Sequence, residues 1–493
     1  MSKMTSTTAK EDRTPVSAIL AVAGMAVLAR VVFHGYTGFT FDDAFITFRY
    51  AENLAAGHGF VYNLSERVLG TTSPLFTFLL AGLAYLKAPV PLSALVVSLA
   101  ASAVTAVLIL RIAEGWRFGR YAIVPALIYA LLPRLLPTDT GGMETALFTS
   151  MIVAAFYLLQ FGRFRSAMVT ATLATLVRPE GGLLVFLVLV AAFIRNRKGL
   201  VGCFSLALLI GLPWLVFAQS YFGNVIPHSI TAKLALYGDV WTRSFAERLI
   251  FVMGWHSPLG WCLSALGVWG AILVLKSERD ARYPTTWLVL SLGLLLASTT
   301  KIFIWYLSPL YPLWLIIAAA PVVWAGQRFV GRGRMMTIGA GLVGVLALTI
   351  LVASDVRSAR YYRLDETILT TIHSDLVQYI EVHGSPSDTV ATEDIGYVGY
   401  HSDNYILDRA GLVSKRVPAM NRSGHYGAVI SESFPNWVIV SPWDPTSDFL
   451  GSKEFIGGYS LCGIFSHPDN RKWEFLLFER RKSAVQLGYC PGR

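Results

Sequence analysis

Two adjacent carboxylates, Asp42 and Asp43, begin a polar segment that interrupts an otherwise apolar amino-terminal half. The residues after them place apolar and polar side chains at helical spacing, which predicts an amphipathic helix that lies in a membrane interface. Two acids at the mouth of a helix bundle suit chemistry on a lipid head group, where a carboxylate acts as base or nucleophile. The alternative is that one of the acids only caps the helix, a position that Asp favours.

Further polar side chains fall between apolar runs, on the side of the membrane that loop charge predicts to be outside. The candidates for substrate contact among them are Glu144, Arg178, Glu180, His228, Lys233, Lys301 and Tyr306. Cations facing the acids would balance the charge of a phosphate-linked donor and assist its departure. Structural alternatives stay open: a helix start at Glu144, an ion pair between Arg178 and Glu180 at a bend, and a snorkelling side chain at Lys301.

The elements that must position these residues are apolar helices. The chain has 493 residues, of which 54% are hydrophobic and only 15% are charged. Soluble domains carry about 25% charged residues, and several apolar runs here approach the roughly 20 residues that span a bilayer. The composition therefore predicts a polytopic membrane protein. The net charge of +10 lies mostly in short loops, where it sets orientation and gives no argument for nucleic acid.

Loop charge predicts eleven crossings, with the amino terminus cytoplasmic and the carboxyl terminus outside. The predicted spans are residues 16–33, 91–112, 121–137, 145–161, 167–178, 182–194, 200–219, 249–275, 284–300, 303–324 and 335–353. This arrangement requires that the short run 73–86 lies in the interface or enters the membrane halfway. The segments 167–178 and 182–194 are too short for two full spans, and we expect a bent pair that faces a cavity.

Residues 355–493 have shorter apolar runs, of strand length, separated by Gly, Ser, Asp and Pro. This pattern predicts a soluble α/β domain outside the cytoplasm. The chain then divides into a membrane domain over 1–354, with a first outer loop at 34–90, and an outer domain over 355–493. Cys462 and Cys490 could form a disulfide in an oxidising compartment, and no Cys/His cluster indicates a zinc site.

Five stretches collect most of these polar residues: DDAFITFRYAENLAAGHGFVYNLSERVLGTTSPL (42–75), GGMETALF (141–148), RPEGG (178–182), YFGNVIPHSITAK (221–233) and EDIGYVGYHSDNYILDRAGL (393–412). They resemble the GT-C class of integral-membrane glycosyltransferases, and most closely the terminal arabinofuranosyltransferases of mycobacterial cell-wall arabinan and their bacterial relatives. The first stretch is quite specific, whereas RPEG alone is a weak signal. The resemblance spans most of the chain. It implies a mainly α GT-C bundle with interfacial helices and an outer α/β domain.

The resemblance implies that the acid pair Asp42 and Asp43 is the catalytic element. Other polar positions of the family match residues here, for which it implies substrate contact or support: Arg49, Asn53, Glu66, Glu144, Arg178, Glu180, Lys233, Asp408 and Arg409. It also implies a polyprenyl-phosphate sugar as donor, at the outer face of the cytoplasmic membrane. Some members of the class hold a divalent cation, Mg²⁺ or Mn²⁺, with the acid pair, and nothing in this sequence fixes one.

The leading hypothesis is a glycosyltransferase that moves a sugar, arabinofuranose in the resembled family, to a glycan, lipid or protein acceptor. It assigns Asp42 as base or nucleophile, and Asp43 as the residue that orients Asp42 or binds a metal. Lys233, His228 and Arg49 would hold the donor phosphate. The alternative is a transporter or flippase of lipid-linked sugars. It predicts paired broken helices and pseudo-symmetric halves, which this sequence does not show.

Overall fold

The structure is a computed structural model of the chain. It describes residues 14–64, 66–237, 244–254, 258–298, 301–329, 334–424, 427–442, 444, 447–467 and 470–481. Helices make up most of the described residues, which confirms the prediction of a mainly α chain.

The helices up to residue 222 form the first part of the bundle. They are Val16–Thr37 (α1), Asp42–Ala55 (α2), Pro74–Tyr85 (α3), Val90–Gly115 (α4), Ile123–Leu131 (α5), Leu136–Thr140 (α6), Thr145–Gln160 (α7), Phe164–Val177 (α8), Gly181–Arg195 (α9) and Arg197–Phe222 (α10). The helices that follow are His228–Tyr237 (α11), Phe245–Met253 (α12), Pro258–Ser277 (α13), Arg282–Ala297 (α14), Ile304–Leu307 (α15), Tyr311–Phe329 (α16) and Arg334–His383 (α17). Short 3-10 turns cover Gly119–Ala122, Arg279–Ala281, Ser308–Leu310 and Ser447–Gly451.

Several segments are helical, long and apolar enough to cross a membrane: Val16–Thr37, Val90–Gly115, Arg197–Phe222, Gly260–Ser277 and Ile304–Gln327. Shorter apolar helices lie among them. The protein is thus a multi-pass membrane protein, whereas the eleven crossings and the side of each loop stay predictions. Small residues such as Ala106, Ala126 and Ala171 are fully buried in the bundle core, where they let helices approach closely.

Glycine and proline divide two of the predicted spans. The span expected over 249–275 is two helices, because α12 ends at Gly254, whose φ of +68° is left-handed. The span expected over 121–137 stops with α5 and resumes only as the five-residue α6. The cause is Leu132, which is extended (ψ 114°) because Pro133 follows it.

Two segments predicted to be too short for a full crossing form short helices, and their depth in the membrane stays a prediction. The run 73–86 forms α3, whose 12 residues are fewer than a bilayer crossing needs. The segments 167–178 and 182–194 form α8 and α9 as a broken pair. The break lies at Arg178, which is extended (φ −150°, ψ 137°) before Pro179.

The carboxyl-terminal part contains a five-stranded sheet in the order β2-β1-β3-β5-β4. Its strands are Thr389–Thr392 (β1), Tyr405–Asp408 (β2), Trp437–Val440 (β3), Tyr459–His467 (β4) and Asn470–Arg480 (β5), and its helices are Gly396–His401 (α18), Val417–Arg422 (α19), Ala428–Ser433 (α20) and Lys453–Gly458 (α21). Strand β1 is parallel to β2 and β3, and β5 is antiparallel to β3 and β4. This is α/β architecture, as expected; its solubility and outer location stay predictions.

The sheet and the first loop share one hydrophobic core. Trp437 and Phe475 of the sheet belong to the same buried cluster as Leu376 of α17 and as Tyr50 and Tyr62 of the first loop. These side chains are 2% exposed or less. Helix α17 also runs without a break through the position expected to divide the two domains. The bundle and the sheet are therefore joined by a continuous helix and by a common core.

Candidate active site

Helix α2 carries the acid pair, with Asp42 and Asp43 in its first turn, where the helix dipole favours negative charge. The N-cap residue is Phe41, so neither acid holds the capping position that the sequence offered as an alternative. Phe48 and Tyr50 are fully buried in two different clusters. The apolar side chains of the helix therefore pack against both the bundle and the sheet domain. Its position in the membrane interface stays a prediction.

A tight turn after α6 fixes the start of α2. The Phe41 amide donates a hydrogen bond to the Gly141 carbonyl oxygen at 3.0 Å. Gly142 has a φ of +84°, and a Cβ there would lie 2.9 Å from the Phe48 ring. The two glycines therefore allow α2 and α7 to approach, so that Asp43 and Glu144 border the same space.

That space is a cavity of about 740 Å³ between α2, α7, α9, α11 and α14. Leu183, Trp287 and Leu295 make one wall apolar. The predicted site residues that line it are Asp43, Glu144, Arg178, Glu180, Lys233, Lys301 and Tyr306. An apolar cavity with a few convergent charged groups is typical of a ligand site, here one for an amphiphile with a charged head.

Asp43 and Lys233 form an ion pair at the cavity wall, with 3.2 Å between Asp43 Oδ2 and Lys233 Nζ. The Lys233 Nζ also lies 5.1 Å from the centre of the Phe303 ring and 5.8 Å from that of Trp305. Burial by itself lowers the pKa of Lys233, but the neighbouring Asp43 charge outweighs burial and raises the pKa. The ammonium group therefore stays charged, and α11 brings it to the acid as the sequence predicts.

Arg178 is a second cation at the cavity and is only 4% exposed. Its guanidinium lies 2.9 Å from Glu180 Oε1 and 3.8 Å from Glu144 Oε1. It also donates to the Trp305 carbonyl oxygen at 3.2 Å. The ion pair at the bend, offered above as a structural alternative, is thus present. Burial raises the pKa of Glu144, and the Arg178 charge opposes this effect.

Aromatic rings surround the cations of the cavity. The Arg178 guanidinium lies 5.5 Å from the centre of the Phe148 ring and 5.2 Å from that of Tyr306. Lys301 Nζ lies 5.0 Å from the centre of the Phe303 ring. Ring faces attract cations without neutralising them, so these contacts leave the charges of Arg178 and Lys301 in place.

Asp42 does not line the cavity. Its carboxylate oxygens accept the backbone N–H groups of Gly396 at 2.9 Å and Tyr397 at 2.7 Å, at the start of α18. Burial raises the pKa of Asp42 to about 6, the Asp43 charge adds to the rise, and the two backbone hydrogen bonds act against it. The two adjacent acids therefore have different partners: Asp43 the cavity lysine, and Asp42 the backbone of the sheet domain.

We expect Asp42→Asn to reduce the pH dependence of stability. The folded-state pKa of about 6 lies above the ordinary 3.8, so protonation of Asp42 favours the folded protein. That contribution is full below pH 3.8 and is lost as the pH rises through 6. Asn cannot titrate, so the Tm of the variant should fall less than that of the wild type between about pH 4 and pH 7. A variant with the wild-type pH dependence would contradict this.

Arg49 joins the first loop to the sheet domain. Its Nε donates to the Tyr62 carbonyl oxygen at 3.0 Å, and its Nη2 donates to that of Asn404 at 3.1 Å. The remaining guanidinium nitrogen donates to the Gly399 carbonyl oxygen. The guanidinium also stacks on the Tyr62 ring, 4.6 Å from its centre. All three guanidinium nitrogens thus donate to the protein, and Arg49 does not line the cavity, where it was expected to hold phosphate.

We expect Arg49→Met to lower the free energy of unfolding by about 2–4 kcal/mol, because three carbonyl oxygens lose a charged donor. The measurement is thermal unfolding of the purified protein, together with hydrogen exchange at residues 396–404. Arg195→Met is the matched control, since it removes an exposed ion pair with Asp280 and should cost less than about 1 kcal/mol. Equal losses of unfolding free energy for the two substitutions would contradict the role of Arg49 in joining the first loop to the sheet domain.

Asn53 and Glu66 also have protein partners and lie outside the cavity lining. Asn53 donates to the carbonyl oxygens of Val61 and Tyr62, each at 3.0 Å. Glu66 Oε1 accepts the Tyr405 hydroxyl at 2.8 Å. Asn53 therefore stabilises the loop after α2, and Glu66 connects that loop to β2.

Asp408 and Arg409 are buried at the end of β2, away from the cavity. Asp408 accepts the backbone N–H groups of Gly411 at 2.8 Å and Val413 at 2.6 Å. Burial raises its pKa to about 6. Arg409 forms a fully buried ion pair with Asp444. Their contacts support the loop that carries Leu412 to the cavity wall.

His228 begins α11 and does not line the cavity, although it was expected to hold phosphate. Its backbone N–H donates to the Leu69 carbonyl oxygen at 2.7 Å. Burial lowers the pKa of its imidazole, and the Lys415 charge lowers it further. The described contacts of His228 therefore fix the helix that carries Lys233.

Sequence reasoning missed two sets of residues. Hydroxyl groups of Thr47, Thr71 and Ser73 line the cavity and form a chain, with 3.4 Å between the first two and 3.0 Å between the last two. The TTSP end of the first motif was the available signal. Inside the bundle, Arg30 binds Asp139. A charge within the first apolar run was the signal, because buried charges in membrane helices have partners.

The acid pair does not fit a shared divalent cation. Both oxygens of Asp42 bind backbone N–H groups, and Asp43 Oδ2 binds the Lys233 ammonium. Among the described residues, no group of three or more His, Cys, Asp or Glu side chains could hold a metal ion. The expected disulfide falls partly outside the described residues, because Cys490 does; Cys462 is a half-buried thiol.

Comparison with known proteins gives the following similarities. A family described as "Domain of unknown function (DUF8728)" matches residues 360–485. A terminal beta-(1->2)-arabinofuranosyltransferase of Mycobacterium tuberculosis is 28% identical over 267 residues, which are 48% of this chain and 41% of that protein. A second enzyme of that name, from Corynebacterium glutamicum, is 28% identical over 301 residues, and 43% of its length is matched. The chain thus aligns with less than half of each relative.

Among solved structures, ArnT from Cupriavidus metallidurans bound to undecaprenyl phosphate has a TM-score of 0.59 at 11% identity. The superposition covers 95% of this chain and 99% of ArnT. The mycobacterial arabinofuranosyltransferase AftD has a TM-score of 0.51 at 15% identity, over 94% of this chain and 40% of AftD. The resemblance in the motifs is confirmed: the chain has the GT-C fold and is similar in sequence to terminal arabinofuranosyltransferases.

Proposed function

We propose that this protein is a membrane glycosyltransferase that moves a sugar from a polyprenyl phosphate to an acceptor hydroxyl. The observation that carries the proposal is the Asp43–Lys233 ion pair in a cavity with an apolar wall. A lysine suits the phosphate, a carboxylate suits the acceptor, and the apolar wall suits a prenyl chain. The names of the relatives support the reaction class, and the lipid named in the ArnT structure supports the donor class.

The donor phosphate would take the place of the Asp43 carboxylate on the Lys233 ammonium. Both are anions, and the lysine side chain rotates easily enough to bind either one. Lys301 lines the same wall and adds a second positive charge. Binding of the donor therefore releases Asp43 from its partner at the moment that a base is needed. His228 and Arg49 have no part in this step.

Asp43 would then accept the proton of the acceptor hydroxyl. The acceptor oxygen forms a bond to the anomeric carbon, and the bond from that carbon to the phosphate oxygen breaks. The electron pair of the broken bond leaves with the polyprenyl phosphate, whose charge Lys233 balances. This assignment exchanges the roles first given to the two acids: Asp43 acts on substrate, and Asp42 holds the sheet domain against α2.

Glu144, Arg178 and Glu180, which line the same cavity, would bind the sugar. Their ion-pair network is almost closed from solvent at Arg178. Charged groups held in this way donate and accept hydrogen bonds with fixed directions, which suits recognition of sugar hydroxyl groups. Arabinofuranose is the sugar we propose, by analogy with the named relatives. The acceptor would be a glycan, lipid or protein at the outer face of the cytoplasmic membrane.

The proposal is tested with purified protein in detergent, a synthetic polyprenyl-phosphate arabinofuranose and an arabinan oligosaccharide as acceptor. The expected result is an oligosaccharide one sugar longer, identified by mass spectrometry, with no membrane gradient present. Anomeric configuration of the new bond, measured by NMR, distinguishes direct displacement from a covalent sugar–Asp43 intermediate. A lipid-linked sugar transporter would give no product in detergent but would move labelled donor across a vesicle membrane, which would overturn the proposal.

A further inference from the structure

A buried ion pair inside the bundle joins Arg30 of α1 to Asp139 of α6. Arg30 Nη2 and Nε lie 2.6 Å and 2.9 Å from the same oxygen, Asp139 Oδ2. The two side chains are 0% and 1% exposed. Arg30 Nη1 also donates to the carbonyl oxygens of Ala26 and Ala130, and the guanidinium lies 4.9 Å from the centre of the Tyr129 ring.

Helix α6 is five residues long, and all five residues are buried. The non-helical residues 132–135 and 141–144 separate it from α5 and α7. A helix this short depends on tertiary contacts, and hydrogen bonds to other helices fix its direction. Asp139 supplies these bonds, since Arg30 ties it to α1 and α5, and Ser102 Oγ of α4 lies 3.5 Å from the same carboxylate oxygen. The ion pair therefore sets the place of α6 among three neighbouring helices.

Helix α6 in turn is bonded next to several residues that line the cavity. Thr138 Oγ1 accepts the Ser308 hydroxyl at 2.9 Å, beside the lining residues Pro309 and Leu310. Gly141, directly after α6, accepts the Phe41 amide at 3.0 Å, two residues before Asp43. The same turn leads into α7, where Glu144 lines the cavity. A shift of α6 would therefore move Asp43 and Glu144 relative to Pro309 and Leu310.

We propose that the Arg30–Asp139 ion pair is a positioning device for the active site, which holds Asp43 and Glu144 at the cavity through α6. This inference rests on the proposed function. The pair touches no substrate, so its effect is on geometry alone. A buried ion pair is weak evidence for stability, because well-packed apolar residues of similar volume often replace it without loss. Its value here lies in the fixed direction of its hydrogen bonds.

The test uses the double variant Arg30→Met/Asp139→Leu, which leaves no unpaired charge in the bundle. We expect it to fold and insert, with a Tm close to that of the wild type. We also expect kcat to fall on the order of 100-fold, because a shift of about 1 Å at a catalytic group has that effect, while KM for the donor changes little. The control is Arg111→Met/Glu114→Leu, which removes a half-exposed ion pair of α4 and should keep kcat.

A second readout does not need activity. Hydrogen exchange at residues 39–44 and 136–145 should become faster in the double variant, because the Phe41–Gly141 hydrogen bond loses its support. Wild-type kcat and exchange in the double variant would overturn the positioning role, and so would a fall of Tm that accounts for the lost activity. If the wild type itself transfers no sugar, the proposed function fails, and the exchange measurement still decides whether the pair positions α2.

Discussion

Replacement of Asp43 by Asn should reduce kcat for sugar transfer by a factor on the order of 10³ or more. A base or nucleophile contributes roughly 10²–10⁴-fold, and Asn can neither accept the proton nor attack the sugar. The substitution keeps the volume of the side chain and an oxygen for Lys233, so the fold should be unchanged. Transfer from polyprenyl-phosphate sugar, followed by mass spectrometry at saturating donor, measures the effect.

Two controls accompany the Asp43 variant. Asp280→Asn makes the same chemical change at an exposed ion pair with Arg195 and should keep full activity. Asp42→Asn, one residue away, should retain more activity than Asp43→Asn, because Asp42 binds the sheet domain and not the cavity. If Asp42→Asn abolished transfer in a folded protein while Asp43→Asn did not, the roles proposed for the two acids would have to be exchanged.

Replacement of Lys233 by Met should lower kcat/KM for the donor by a factor on the order of 10²–10³, the usual loss when one group that stabilises a developing anion is removed. The same variant should lose affinity for polyprenyl phosphate, the leaving group, because that lipid uses the same ammonium. Lys233→Arg keeps the positive charge and should retain part of the kcat/KM for the donor and part of the affinity for polyprenyl phosphate. Steady-state kinetics and a competition assay with polyprenyl phosphate measure the two effects.

Lys276→Met is the control for Lys233. It lies in the last turn of α13 and does not line the cavity. It removes one positive charge from the protein outside the cavity. A loss seen with Lys233→Met and not with Lys276→Met is therefore due to the charge in the cavity and not to the net charge of the protein. Wild-type inhibition by polyprenyl phosphate in the Lys233→Met protein would contradict the placement of the donor phosphate at this lysine.

Periodicity and charge predict much of the fold from sequence alone. The first apolar run becomes α1, the acid pair begins α2, and the punctuated carboxyl-terminal part becomes an α/β sheet. Helix breaks inside apolar segments were missed at Gly254 and Pro133, because hydropathy averages over single residues. The continuity of α17 was also missed, since a change in composition does not by itself end a helix.

The candidate site was predicted in part. Asp43, Lys233 and Arg178 do meet at one cavity, as the motifs indicate. The choice between the two acids could not be made from sequence, because adjacent residues on a helix point about 100° apart and the sequence does not show which of the two faces the cavity. The sequence also did not predict that Arg49 and Glu66 bond to the sheet domain. Their partners are far along the chain, and residue type alone does not distinguish a ligand contact from a bond between domains.

The 50 residues of α17 form one helix, roughly 75 Å long at 1.5 Å per residue. Along it, the Tyr362 ring packs at a tilt against the Phe39 ring, Glu366 accepts the Thr40 amide, and Leu376 enters the core of the sheet. A helix has a phase as well as a length. One residue inserted near position 358 would turn everything beyond it by about 100°. The sheet and the segment before α2 are therefore held in a fixed rotation relative to each other by α17. Substitutions in α17 should be tolerated far better than insertions or deletions.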